Sequence, residues 1–520
     1  MASTWGVATP HRTASDLAAE VLTGGGNAID AALAAAVVLT VVYPNQCSVG
    51  GDVIALVGTP DGRVIAVDGS GRAPRGADPD RFTSMPVYGP HAVTVPGAVA
   101  AWFEISRRWG SRPLAQALRR AAELAAGGVA VAPGLARAID RESARLQADP
   151  GLRDIFLPDG GLLSAGGMMV QPRLADTLLR LAESGPEAFY AGDVAEGIVA
   201  TLRAQDSTMT LDDFSAHRTS VGEPVATTYA GVEYLTAPPG SQGAFFLEGL
   251  AALDLVRDRL GRHPDPAGAD AAIVALVLDV AARDRDAMLG DPEGTTIDLD
   301  VLLSARAQEI ARDSVTQRGL GAGGDAVKPS GDTVAVVATD GRSGWVSLMQ
   351  SNFHAFGSGI LDPVSGVVLH NRGASFSLRP DSPNRLRGGR LPAHTLMPVL
   401  VRDHGELIGA QGTMGGRAQP QIHTQIALHL ARGSAVEEAV SGPRWVLEPR
   451  TAGADAIGSG VVAAEEDLPP EARHQLARQF RVNSLAARDD EVGHAQVVRR
   501  TKEHVVAATD PRADGAALTG

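Results

Sequence analysis

One stretch carries chemistry that the remainder of the chain must serve: Gly331-Asp332-Thr333-Val334-Ala335-Val336-Val337. A threonine hydroxyl is a weak nucleophile and needs a base beside it. Cutting the peptide bond between Asp332 and Thr333 would supply one. The freed α-amino group has a reference pKa of about 7.7–8.0 and is partly neutral at pH 7. In the uncut chain that nitrogen is an amide and cannot take a proton. The reading is self-cleavage: Thr333 Oγ attacks the Asp332 carbonyl and water hydrolyses the ester. The new N-terminal threonine then repeats the chemistry on a substrate. The tetrahedral intermediate needs donors aimed at its oxyanion. Gly415-Gly416 suit this role, because residues without Cβ expose their backbone N–H and a helix is expected just after them.

These residues need elements to hold them. Thr333 to Thr339 is rich in β-branched residues and predicts a strand, with Thr333 at its start, where its side chain reaches a cleft. Asp340-Gly341-Arg342-Ser343 predicts a hairpin turn returning through Gly344 to Gln350. Arg318 to Asp325, nearly devoid of side chains, reads as a mobile loop that can leave once cut. Its G-x-G-x-x-G pattern at Gly319–Gly324 follows a helical pattern, so a dinucleotide site is rejected. Helices are expected over Ser15 to Leu22 and Ala28 to Thr40, the second apolar on most faces and buried. Residues 113 to 320 read mainly as helices, among them Leu114 to Ala126, Ala244 to Asp258 and Ala267 to Met288. Short strands are predicted at Val53 to Val57, Val64 to Val67, Gly366 to Leu369 and Pro398 to Val401, and a helix from about Pro420 to Ala431. Strands at both ends with helices between predict a layered α+β architecture.

Read in order, several stretches resemble the γ-glutamyltransferase family of N-terminal-nucleophile hydrolases. They are Gly25-Gly26-Asn27-Ala28-Ile29-Asp30-Ala31-Ala32, Gly331-Asp332-Thr333, Gln350-Ser351-Asn352-Phe353-His354-Ala355-Phe356-Gly357-Ser358-Gly359, Asn371-Arg372-Gly373, Pro392-Ala393-His394-Thr395-Leu396-Met397-Pro398 and Met414-Gly415-Gly416. The resemblance covers nearly the whole chain. It implies a four-layer αββα sandwich built from one precursor, with a large subunit of residues 1–332 and a small one of 333–520 forming one intertwined fold. It implies Thr333 as nucleophile, Gly415 and Gly416 as oxyanion hole, and Ser351 as a hydroxyl near the nucleophile's amine. It places substrate contacts at Asn352, Arg372, Ser375 and Thr395, and near Ser70 and Arg72. It implies no cofactor and a small-molecule substrate. A homodimer of the two-subunit unit is compatible with it.

Two departures bear on the substrate. Where members acting on γ-glutamyl compounds carry a carboxylate-binding arginine, this chain has Ser70, with Arg72 two residues on. Where they carry an aspartate for the α-ammonium, it has Gly373-Ala374-Ser375-Phe376-Ser377. A charge-assisted contact is worth about 1.5–3 kcal/mol net, so two losses could cost several decades in affinity for a glutamyl group. Val334-Ala335 also replace the usual Thr-His after the nucleophile. The expected activity is hydrolysis or acyl transfer on a small amide. Carbon–carbon bond hydrolysis by the same fold, or a non-catalytic binding role, are the alternatives.

Composition bounds the classes. The net charge of −14 argues against a nucleic-acid partner. A single cysteine, Cys47, forbids an internal disulfide and fits a reducing compartment. The start lacks a signal-peptide pattern, and the longest apolar run, Ala31 to Val42, is too short to span a bilayer. A cytoplasmic protein without a membrane partner is expected. The 13 histidines show no H-E-x-x-H and no cysteine pairs, so no metal site is expected. Asp212-Asp213 and Glu465-Glu466 read as solvated surface.

Overall fold

The computed structural model describes residues 4–316, 331–342, 344–447 and 460–520. The predicted mobile loop and its glycine pattern lie outside the described residues. The helix Ala28–Val42 forms as expected, and all of its residues are buried. Alanine and valine put no polar atom on any face, so each face can pack. Asn27 and Asp30 cap one another's backbone at its start.

Two antiparallel sheets lie face to face. The first runs Ala516–Thr519, Gly6–Thr9, Asp332–Thr339, Trp345–Phe353, Asp52–Gly58, Val64–Asp68 and Ser220–Gly222. The second runs Val505–Thr509, Ala495–Arg500, Glu406–Thr413, Val399–Asp403, Val232–Thr236 and Val225–Tyr229. Ala8, Leu56, Val337 and Trp345 of the first interdigitate with Leu235, Leu400, Ala410 and Val498 of the second. Helices Ala28–Val42 and Ala98–Trp109 cover the outer face of the first sheet, and Gly243–Leu260 and Gln419–Ala431 that of the second. This is the four-layer αββα sandwich. Both sheets draw strands from before and after residue 332. A cut there would leave two chains interleaved by ladders that neither could satisfy alone.

Four expectations are corrected. Gly366 to Leu369 is not a strand and makes only isolated bridges, Leu361 to Val368 and Gly50 to Leu369. Three strands between Ser220 and Thr236 interrupt the stretch read mainly as helix. They complete an edge of each sheet, a long-range event that local periodicity does not report. Asp213 is buried, capping its helix with Thr210 and accepting from Arg75 N at 3.1 Å. Glu465 is also buried, in an ion cluster with Arg512. Among the described residues no helix is long and apolar enough to cross a membrane.

Candidate active site

Asp332 continues the strand, so Thr333 is not at its start as expected. It is 1 % exposed in the uncut chain. The ladder pairs Val334 with Gln350 but Asp332 with Phe353. One residue, Thr333, therefore faces two, Ser351 and Asn352, across a bulge. Phe353 takes up the kink with φ at +77°. The bulge turns Ser351 towards the candidate bond. Thr333 Oγ1 donates to Ser351 Oγ at 3.3 Å, and Ser351 Oγ donates to the Asp332 carbonyl at 2.5 Å. Phe353 N donates to Ser351 Oγ at 2.8 Å and fixes it. Burial pushes the Asp332 carboxyl up to about 7, against the pull of Arg141, with Asp490 and Glu142 adding to the rise.

Gly415 and Gly416 have φ of +138° and +52°, which side chains with Cβ rarely adopt. Gly416 opens a short helical turn, Gly416–Ala418, that runs into Gln419–Ala431. The glycine pair packs directly on Gly331: a methyl there would lie 2.5 Å from Gly416 Cα. Gln242, in Ser241-Gln242-Gly243 ahead of helix Gly243–Leu260, was missed at the sequence level. Fully buried, it donates to Thr395 O at 2.7 Å and Gly416 O at 2.8 Å. Its own oxygen accepts from Arg285 Nη1 at 3.1 Å, which also reaches Arg417 O at 2.9 Å. Residues before the candidate cut thus hold the backbone of the glycine turn after it.

Behind Ser351, on the neighbouring strand, its register partner Asp52 is wholly buried. His370 Nδ1 and His394 Nε2 each lie 3.2 Å from Asp52 Oδ2, and Arg372 Nε lies 3.7 Å away. Burial alone would raise the Asp52 carboxyl, but the two histidines outweigh it and hold it well below the carboxylate range. Burial lowers His394 to about 4, with Arg372 helping and Asp52 opposing. Its Nδ1 accepts from Leu396 N at 3.1 Å, which leaves the proton on Nε2, facing Asp52. Asp52 and His370 had no sequence signal beyond an acid opening an apolar strand and a histidine before Asn371-Arg372.

The other expected contacts are scattered. Asn352 turns inward: its Oδ1 accepts from Ser48 Oγ at 2.7 Å and its Nδ2 donates to Pro44 O at 3.1 Å. Ser375 Oγ donates to Ala393 O at 3.1 Å. Thr395 Oγ1 accepts from Arg372 Nη1 at 3.0 Å. Ser70 Oγ is held by Asp68 at 2.5 Å, and Arg72 by Glu293 at 2.5 Å. With strands about 4.8 Å apart, Ser70 stands three strands, roughly 14 Å, from Thr333. Ser70 and Arg72 line a cleft of about 350 Å³. Among the described residues no group of three His, Cys, Asp or Glu could hold a metal ion.

The interleaved αββα sandwich, with a threonine and its hydroxyl partner on a central strand pair, defines the N-terminal-nucleophile hydrolase class. The family model for Gamma-glutamyltranspeptidase matches residues 14–520, and the chain belongs to that family and is an enzyme of its type. It is 36% identical to the oxamate amidohydrolase proenzyme of Klebsiella pneumoniae, over 99% of this chain and 98% of that one. It is 33% identical to the glutathione hydrolase-like YwrD proenzyme of Bacillus subtilis, over 98% of each. The crystal structure of cephalosporin acylase from Bacillus halodurans superposes with a TM-score of 0.88 at 30% identity, covering 99% of this chain and 96% of that one.

Proposed function

We propose that the protein is a self-cleaving threonine hydrolase or acyltransferase acting on a small amide, with Thr333 as nucleophile. The observation that carries this reading is the position of Ser351, whose hydroxyl touches both the attacking oxygen and the carbonyl to be attacked. As Thr333 Oγ adds to the Asp332 carbonyl carbon, its proton passes to Ser351 Oγ and Ser351's proton passes to the carbonyl oxygen. Collapse breaks the C–N bond as that hydroxyl proton passes to the departing nitrogen, which leaves the Asp332 acyl group esterified on Thr333 and frees the amine. Water then hydrolyses the ester. In the mature enzyme the Thr333 amine takes the hydroxyl proton as Oγ attacks the substrate carbonyl, and returns it to the departing amine. Gly415 and Gly416 N–H groups hold the oxyanion, on a turn kept in place by Gln242. The acyl ester passes to water or to an acceptor amine. That named relatives include an amidohydrolase and a glutathione hydrolase-like proenzyme supports amides as the bond type.

Intact-mass and denaturing-gel analysis tests this directly. The wild type is expected as chains of 332 and 188 residues, and Thr333→Ala as one uncut chain with activity lower by at least about 10⁴-fold. A fully active, uncut wild type would sink the proposal.

A further inference from the structure

The two halves of the candidate centre lie on different sheets. Thr333 and Ser351 belong to the first, and the Gly415–Gly416 turn follows a strand of the second. Apolar contacts between sheets are non-directional, whereas the groups of a reacting centre must stand within about 0.5 Å of their productive place. In the uncut chain Gly331 rests against Gly416. A cut after Asp332 severs Gly331 from the nucleophile, so the spacing then depends on another tie.

Such a tie runs through Asp52 and His394, both buried. Asp52 is the register partner of Ser351, and a methyl on the preceding Gly51 would lie 2.6 Å from Ser351 O. The start of that strand is therefore flush with Ser351. Kept ionised by its histidine neighbours, the Asp52 side chain only accepts. His394 Nδ1 accepts from Leu396 N at 3.1 Å, so Nε2 carries the proton and donates to Asp52 Oδ2 at 3.2 Å. The His394 backbone is clamped on its other side. Its N donates to Gly240 O at 2.8 Å, and its O accepts from Gln242 N at 3.0 Å. Ser241 Oγ adds a bond to Leu396 O at 2.6 Å. Gln242 Nε2 then donates to Gly416 O at 2.8 Å. Ser351, Asp52, His394, Gln242 and Gly416 thus form a continuous run of directional contacts from one half of the centre to the other.

We infer that the Asp52–His394 hydrogen bond sets the spacing between the Thr333–Ser351 pair and the Gly415–Gly416 turn, which makes His394 a positioning residue of the reaction. The inference rests on Thr333 being the nucleophile. His394 acts through Asp52 and Gln242, and no proton of the reaction passes over it.

The test compares His394→Gln with His394→Asn. The glutamine amide reaches the place of Nε2 and can donate to Asp52; the asparagine amide reaches only the place of Nδ1. The probe is p-nitrophenyl acetate on the processed enzyme near neutral pH. Thr333 Oγ takes the acetyl group, p-nitrophenolate leaves, and the Thr333 amine takes the hydroxyl proton; intact mass locates the ester. His394→Asn should lower the acylation rate constant about 10- to 100-fold with the half-saturating concentration within about threefold, and His394→Gln should stay within about threefold of wild type. Self-cleavage, during which Gly331 still rests against Gly416, should change by no more than about threefold in either variant. Equal acylation by the two variants, or equal loss in acylation and self-cleavage, overturns the inference. Should His394→Asn not fold, Ser241→Ala decides: it loosens the same clamp and should lower acylation about three- to tenfold, and a wild-type rate overturns the inference. A wild-type enzyme that gains no acetyl group on Thr333 would defeat the nucleophile reading itself, whereas acylation of wild type and His394→Asn at one rate would defeat only the positioning role.

Discussion

Two of the sets of charged side chains buried among the described residues close their bonds differently. Arg444, Glu465, Asp510 and Arg512 form a balanced set near the C-terminal end, each no more than 4 % exposed. Arg512 donates to Glu465, to Asp510 at 2.9 Å and to Gly442 O at 3.0 Å. Arg444 bonds Asp510, and reaches Val440 O at 2.5 Å and Val492 O at 3.2 Å. Asp510 also accepts from Ala495 N at 3.0 Å, and Glu465 from Arg444 N at 2.8 Å. Only Arg444 Nε is left over. In the set around Asp52, Asp52 Oδ1, His370 Nδ1 and two nitrogens of Arg372 lack hydrogen-bond partners. Buried charge survives where bonds satisfy it. The first set is satisfied internally and holds the C-terminal strands together. The second has donors open beside the candidate nucleophile.

The comparison can be broken or sharpened by substitution. The largest effect is expected at the site: Ser351→Ala should slow self-cleavage by about 10²- to 10⁴-fold, followed by band intensities over time, with melting temperature little changed. Cleavage at the wild-type rate would remove Ser351 from the relay. Next comes the satisfied set. Asp510→Ala leaves Arg444 and Arg512 without their shared carboxylate and should cost about 3–5 kcal/mol in denaturant unfolding. The folded fraction should keep its KM; a changed KM with unchanged stability would invert the contrast. A third test concerns support of the glycine turn. Gln242→Met keeps the length but removes both donors, and should lower kcat about 10- to 100-fold while KM stays within threefold. Equal loss in both constants would make Gln242 merely structural.

The smallest effect is a pH dependence. The Asp332 carboxyl is raised from its ordinary value to about 7 by burial. A folded-state value above the unfolded one means the native chain binds the extra proton, so stability falls as pH rises between the two values. In an uncleavable Thr333→Ala background, Asp332→Asn should therefore stabilise. The gain in melting temperature should grow from about pH 4 to pH 7 and then level off. A gain independent of pH would show that the Asp332 carboxyl is not the group responsible.

The sequence alone determined what local chemistry can determine. Helix Ala28–Val42 follows from an unbroken apolar composition, the hairpin at Asp340-Gly341 from turn residues between β-branched runs, and the glycine pair from the need for bare backbone. The self-cleavage hypothesis follows from the order of Gly331-Asp332-Thr333 and the later motifs. The tertiary structure alone decided which groups meet. A register shift places one threonine against Ser351 and Asn352, and turns the asparagine inward. Packing of strands from distant parts of the chain buries Asp213 and Glu465, which read as surface. It also brings Gln242 under Gly416, and His370, His394 and Arg372 around Asp52. Propensity and spacing describe a residue and its near neighbours. Burial, register and the hydrogen-bond partner of a buried group depend on residues hundreds of positions away.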